Sequence, residues 1–301
     1  MKEVFIINPH ISRDKQYRLM QEIKKNFQGK RIIIEKTKKA GHAQLIARKY
    51  ALMEEQPVHI FACGGDGILH EVVNGIAGYP HVQLSIIPIG TGNDFIKSID
   101  GLTREDFLDL ANYKDPFTMK ADLLKVNGEY VINTVSFGFD VSVADYSNQI
   151  KKRLPVKGIA PYYMGMLISL SKSFEQSYDI QLDEQHFPTC PYMFVVFCNG
   201  RFYGGGYQPC PQAKIDDGMI DVCLIKPVKK YQIVQLAKKY ERGQHVQFSN
   251  LVSLHKVKVA HLDTDNQGIL GNLDGEIREL KNPTIEIVEQ AVHLVLPKKG
   301  E

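Results

Sequence analysis

Apolar residues follow two different rhythms along the chain. In its first part, short runs rich in Val and Ile, EVFII, RIIIE, PVHIFAC and LSIIPI, alternate with the segments Asp14–Phe27, Gly41–Met53 and Ile68–Ile76, whose apolar residues recur at spacings of three and four. Continuous β-branched runs predict strands buried on both faces, and the wider spacing predicts helices that cover them. The order is the βαβα signature of a mostly parallel, doubly wound sheet, which predicts an α/β lobe over residues 1–118.

After Pro116 the rhythm changes. Asp122–Val126 and Tyr130–Ser136 read as strands joined at Asn127-Gly128, a hairpin dipeptide. Further short strands are predicted at Tyr178–Leu182, Tyr192–Cys198, Ile220–Ile225, Val252–Ala260, Ile277–Leu280, Thr284–Val288 and Val292–Leu296. Helical spacing returns at Ser142–Gln149, Tyr162–Ser171 and Lys230–Arg242. A mainly antiparallel β-sandwich lobe over residues 119–301 is expected, with a return of its last residues to the first lobe left open.

Composition narrows the function classes. The chain has 301 residues, more than one core serves, and its 44% hydrophobic and 24% charged residues are those of an ordinary globular protein. A net charge of +3 lacks the strongly basic balance of a nucleic-acid binder, so no nucleic-acid partner is expected. The five cysteines form no CxxC pair and suggest neither a zinc knuckle nor a disulfide framework, which fits a reducing cytoplasm. No run approaches the ~18 apolar residues of a membrane-spanning helix, so any membrane contact is expected to be peripheral.

The stretch PVHIFACGGDGILHEVVNGI carries the first candidate chemistry: a buried strand runs through Gly64-Gly65-Asp66-Gly67 directly into a helix. Glycines let backbone amides approach an anion, the helix N-terminus adds unpaired N–H groups, and Asp66 supplies a carboxylate. A tight βα turn with a capping aspartate is the competing reading. A second loop, IIPIGTGNDF, offers Gly90-Thr91-Gly92-Asn93-Asp94 beside a short helix. Loops after neighbouring strands of such a sheet converge on one crevice.

Together, GGDG and P-x-G-T-x-N-D-F resemble the diacylglycerol kinase catalytic-domain family, which includes sphingosine kinases and soluble bacterial lipid kinases. Asn8-Pro9 after the first strand, Gly204-Gly205-Gly206, PQAKIDDGMIDV at 211–222 and LDGEI at 273–277 extend the resemblance over nearly the whole chain. It implies an ATP- and Mg²⁺-dependent lipid kinase of diacylglycerol kinase type, with an NAD-kinase-like first lobe. ATP is expected against Asn8, Pro9, Thr37, Gly64, Gly65, Asp66, Gly67, Ile68, Leu69, His70, Thr91, Asn93 and Asp94. Glu276, with Asp66 as the second catalytic carboxylate, is expected to act as base on the lipid hydroxyl. Asp66, Asp94 and Asp122 correspond to a carboxylate network under the site. A structural Mg²⁺ is implied at Asp217 and the carbonyls of Lys214 and Met219. On the residues alone, LDGEI and IDDGM read equally as hairpin turns.

The sequence departs from the family pattern after GGDG, where a hydroxyl residue is usual, often followed by an asparagine before the glutamate. Here Ile68, Leu69 and His70 precede Glu71. The Asn-Pro loop reads NPHISRDK, without the usual glycine. His42, His59, His70, His81 and His261 show no ligand spacing and read as structural. Lys151-Lys152-Arg153 and Lys157 lead into PYYMGMLISL, which reads either as a membrane-docking element or as a solvated charge run before a core helix. An exposed strand edge in the β lobe admits a homodimer. An NAD kinase sharing the GGDG loop and a non-catalytic lipid- or nucleotide-binding regulator are the alternatives.

Overall fold

The computed structural model describes residues 1–9, 11–53, 57–153, 164, 168–169 and 176–299. The first part builds four parallel strands, β1 (Lys2–Ile7), β2 (Arg31–Lys36), β3 (Val58–Cys63) and β4 (Val82–Ile87), in the order β2-β1-β3-β4. The intervening helices are α1 (Arg13–Asn26), α2 (His42–Met53) and α3 (Asp66–Ile76). Successive strand residues point to opposite faces. Val4, Ile6, Ile60 and Leu84 therefore pack under α2 and α3, while Phe5, Ile7, Phe61 and Ile87 pack under α1. Gly75 sets the α2–α3 distance, since a Cβ there would stand 2.6 Å from the Gln44 carbonyl oxygen. Glu71 accepts the Gly41 and Ala43 N–H groups at 2.7 and 2.8 Å, satisfying donors at the start of α2.

A short helix, α4 (Arg104–Leu108), carries a Thr103–Asp106 capping box. Then β5 (Phe117–Val126) turns into β6 (Glu129–Val131) through Asn127 at φ 46° and Gly128 at φ 95°, the left-handed pair of a type I′ hairpin. There follow β7 (Thr134–Gly138), α5 (Phe139–Arg153), β8 (Gln176–Leu182), β9 (Gln185–Tyr192), β10 (Phe194–Cys198), β11 (Ile220–Ile225) and α6 (Lys230–Glu241). The chain closes with β12 (Val252–Val257), β13 (Val259–Asp263), β14 (Ile269–Leu273), β15 (Glu276–Leu280) and β16 (Thr284–Leu296).

The second sheet has the order β12-β11-β10-β7-β14-β15, and the first continues past β4 as β16-β13-β8-β9, with β5 on β16 and β6 on β5. Leu124, Ile180, Leu262 and Ile285 from one sheet meet Phe137, Val195, Phe197 and Val222 from the other in a single sandwich core. β16 joins the lobes. It pairs antiparallel with β5 along most of its length, and His293 and Leu294 pair parallel with Gln83 and Leu84 of β4.

Three strand expectations change. Val252–Ala260 is two strands in different sheets, because the Asp183 carboxylate takes the Lys258 and Val259 N–H groups at 3.0 and 2.9 Å and turns the chain between sheets. Tyr130–Ser136 divides in the same way, at Ile132-Asn133. Thr284–Val288 and Val292–Leu296 are one strand, bulged between Val288 and Val292, with Gln290 at φ 52°. β9 and β14 were not expected. The Tyr162–Ser171 helix and Lys157 with PYYMGMLISL fall largely outside the described residues, as do the side chains of Lys151, Lys152 and Arg153.

Candidate functional site

The loops after β3 and β4 meet at the carboxyl ends of the parallel strands. The Gly90 N–H donates to the Gly64 carbonyl at 2.9 Å, and the Asp66 N–H donates to the Gly92 carbonyl at 3.2 Å. That approach dictates two glycines: a Cβ on Gly65 would stand 2.7 Å from the Gly92 oxygen, and one on Gly90 would stand 2.5 Å from the Gly65 nitrogen. Gly65 is also the N-cap of α3, so the positive end of that helix opens into the same crevice. Close backbone and a helix N-terminus are the components of an anion cradle, and the residues present fit a nucleotide's phosphates.

Asp66 and Asp94 are brought together. The Asp94 N–H donates to Asp66 Oδ1 at 3.0 Å. Burial, and after it repulsion from Asp94, pushes the Asp66 carboxyl up to about 6. Asp94 is itself buried, with Lys97 Nζ on Oδ1 at 2.6 Å and the Gly205 N–H on Oδ2 at 2.7 Å. The glycine stretch of the sandwich is thereby tied to the phosphate loops.

Glu276 opens β15 from the far side of the crevice. Its Oε1 lies 3.9 Å from where a Cβ on Gly67 would stand, and its Oε2 is 3.5 Å from Arg278 Nη1. The cleft between these groups has a volume of about 860 Å³. Asn8 and Thr37 line it from the ends of β1 and β2, residues 65–69 and Thr91 and Asp94 from the loops, and Glu276 from the sandwich.

Four expected nucleotide residues do not line it. Gly64 lies beneath the loop, its would-be Cβ 2.6 Å from Ile68 Cγ1. Asn93 donates to the Gly90 carbonyl at 3.0 Å and stiffens the second loop, while the Pro9 carbonyl accepts from Gln16 Nε2 at 3.1 Å. His70 is buried and turned away, between Asp274 and Glu129. Asp122 also lies elsewhere. Its carboxylate accepts the Gly218 and Gln290 N–H groups, each at 2.7 Å, pinning the 216–219 turn and the β16 bulge.

The expected metal site does not fit a divalent ion as it stands. Asp217 Oδ2 accepts from Lys256 Nζ at 2.6 Å, Oδ1 takes the Met219 N–H at 3.2 Å, and Asp221 lies 3.4 Å from the same ammonium. Burial works against that ammonium's charge, but its bonds to Asp217 and Asp221 raise the lysine above its ordinary range. Among the described residues no three His, Cys, Asp or Glu side chains are grouped to hold a metal. The one carboxylate offered beside the Lys214 and Met219 carbonyls already has its cation.

Asp274, within LDGEI, was missed as a site residue. Its buried carboxylate accepts the Ile132, Asn133 and Thr134 N–H groups at 2.9, 2.9 and 3.1 Å, which ends β6 and starts β7. Its only sequence signal was the glycine after it. A second, apolar pocket was equally unannounced: Phe139, Val143, Phe194, Ile233, Leu236 and Tyr240 line it between α5, α6 and the second sheet. It shares Ala144, Tyr203, Gly204 and Asn272 with the cleft.

Residues 2–126 match the diacylglycerol kinase catalytic domain, and residues 133–296 match the YegS C-terminal NAD kinase beta sandwich-like domain. The diacylglycerol kinase of Bacillus subtilis is 29% identical over 265 residues, covering 86% of this chain and 84% of the relative. A Pseudomonas aeruginosa protein named "Probable lipid kinase YegS-like" is 30% identical over 275 residues, covering 89% of this chain and 81% of the relative. In fold, the crystal structure of a diacylglycerol kinase from Bacillus anthracis superposes with a TM-score of 0.72 at 21% identity, over 98% of this chain and 96% of that one. An NAD kinase from Archaeoglobus fulgidus in complex with ATP superposes with a TM-score of 0.52 at 10% identity, over 99% and 95%.

Proposed function

The chain belongs to the diacylglycerol kinase family that joins this catalytic domain to a YegS-type sandwich, and from that premise we propose that it phosphorylates the hydroxyl of diacylglycerol or a similar lipid at the expense of ATP. The observation that carries the reading is the placement of Glu276 across a crevice from a glycine-built anion cradle, with an apolar pocket opening beside it.

The substrate nucleotide is MgATP, whose magnesium offsets charge on the phosphates being parted. Gly65, Gly67 and the start of α3 would hold those phosphates, and Asp66 would offer the ion a carboxylate. The lipid's acyl part lies in the apolar pocket and presents its hydroxyl at the shared wall of Tyr203, Gly204 and Asn272. As the hydroxyl oxygen bonds to the γ-phosphorus, the bond to the β-phosphate oxygen breaks, ADP leaves, and the hydroxyl proton passes to Glu276. Positioning and electrostatics carry such a transfer.

In this reading the lipid is met by peripheral contact with a membrane surface; among the described residues no helix is long and apolar enough to cross a membrane. The test is transfer of labelled γ-phosphate from MgATP to diacylglycerol in mixed micelles. Native protein transfers label, and Glu276→Gln reduces turnover by about 10²–10⁴-fold while still binding ATP. ATP binding without a phosphorylated product from any hydroxyl lipid moves the chain to a regulator, and phosphorylated NAD moves it to a nucleotide kinase.

A further inference from the structure

His70 lies on α3 with its ring buried, and it does not line the cleft. Nδ1 is 3.0 Å from Asp274 Oδ2, and Nε2 is 3.0 Å from Glu129 Oε1. A carboxylate only accepts, so a ring that faces one on each side carries a proton on both nitrogens. The other groups around it are Asn74 Nδ2, 3.5 Å from Nε2, and Arg278, which donates to both Glu129 oxygens at 3.3 Å. Arg278 in turn reaches Glu276. Burial opposes the charge, yet the bonds to Asp274 and Glu129 raise the imidazole to about 10.

The ring is therefore the second link of a chain of alternating charge: Asp274, His70, Glu129, Arg278, Glu276. At one end, Asp274 at φ 52° and Gly275 at φ 99° form the turn that presents Glu276. The ring's own backbone belongs to the helix whose first turn makes the anion cradle. We propose that His70 is a positioning residue whose imidazolium, shared by Asp274 and Glu129, locks the turn carrying Glu276 to the phosphate-binding helix. The part of this that concerns turnover rests on the lipid kinase reading. An asparagine side chain is neutral and both its N–H donors sit on one nitrogen, so His70→Asn removes the charge and cannot place donors on two opposite sides as the imidazolium ring does.

The test compares native protein with His70→Asn and His70→Gln, both small enough to keep the helix. In native protein, nitrogen NMR at pH 8 finds both ring nitrogens protonated. In His70→Asn, amide exchange over residues 274–278 speeds at least tenfold, and kcat for lipid phosphorylation falls at least tenfold with KM for MgATP within about twofold. Adding Glu129→Gln to His70→Asn lowers kcat by less than the product of the two single effects. A neutral native ring at pH 8 overturns the proposal, as does faster exchange with unchanged kcat, which would make His70 structural only. If native protein phosphorylates no lipid, the functional reading fails, and the NMR and exchange measurements still decide whether the clamp exists.

Discussion

Asp94 binds the two halves of the site to each other: one carboxylate oxygen takes the Gly205 N–H at 2.7 Å, and the other takes Lys97 at 2.6 Å. The second loop of the α/β lobe and the glycine stretch of the sandwich thus share a single buried anion. Replacing Asp94 with Asn keeps the shape, removes the carboxylate charge and sets an amide donor against either Lys97 or the Gly205 N–H. Each charge-assisted bond is worth about 1.5–3 kcal/mol, so Asp94→Asn should lower the melting temperature by several degrees and cut phosphate transfer at least tenfold. Lys97→Met, which leaves the Gly205 bond intact, should cost less in both calorimetry and kinetics.

Asp66 gives the opposite stability result. Its folded carboxyl titrates near 6, above the unfolded value, so between those values the folded chain binds more protons than the unfolded one. Stability is therefore lost as pH rises through that window, and the deficit persists above it. Discounted for the solvent that reaches a cleft residue, the cost at pH 7.5 is about 1 kcal/mol. Asp66→Asn should melt roughly 2 °C higher than native at pH 7.5, with the gain shrinking toward pH 4, while phosphate transfer is largely abolished. A lower melting temperature at pH 7.5 would contradict the assignment of strain to this carboxylate.

Lys256 stands where a structural Mg²⁺ was expected, and the consequence is measurable without any turnover. Chelation by EDTA should leave the melting temperature of nucleotide-free protein unchanged within 1 °C or so, as expected for a turn held by an ammonium. Lys256→Ala should lose about 1 kcal/mol, the usual worth of a partly exposed ion pair, and regain it in millimolar Mg²⁺. A native protein that destabilises in EDTA would restore the metal at Asp217.

The apolar pocket should be separable from the nucleotide crevice. Ala237 lines it from α6 and is only partly buried, so Ala237→Trp fills the space without opening the core. The KM for diacylglycerol should rise about tenfold or more, equivalent to ~1.4 kcal/mol, with MgATP affinity unchanged. An unchanged KM would remove the acyl chain from this pocket.

β1, β3 and β4 were legible because both their faces are buried, which leaves unbroken runs such as VHIFAC. The phosphate loops were legible by their glycines, two of which, Gly65 and Gly90, stand where backbone contact leaves no room for a Cβ. Elsewhere the pattern misled. β9, mostly exposed at the sheet edge, has no apolar face to announce it, and β14 is interrupted at its middle by Gly271. Val252–Ala260 carries no glycine or proline to mark a break although its two halves lie in different sheets, since a sandwich corner can change partners without a turn residue. His70 failed to declare itself for another reason. Its partners are 204 and 59 residues away, and nothing local marks a histidine that will sit between two distant carboxylates.

β16 crosses from the sandwich into the parallel sheet and lies directly beside β4. Severing the chain after the first matched domain would leave β4 with an open edge of unpaired amides and carbonyls, the template on which other chains add. The amino-terminal piece, although it contains the whole anion cradle, should self-associate when made alone, and supplying residues 127–301 in trans should return it to solution. Two sequence domains thus amount to one unit of inheritance for stability: recombination between relatives at the 126/133 junction must exchange the last strand together with the first lobe, or else preserve the β4 and β16 contact across the graft.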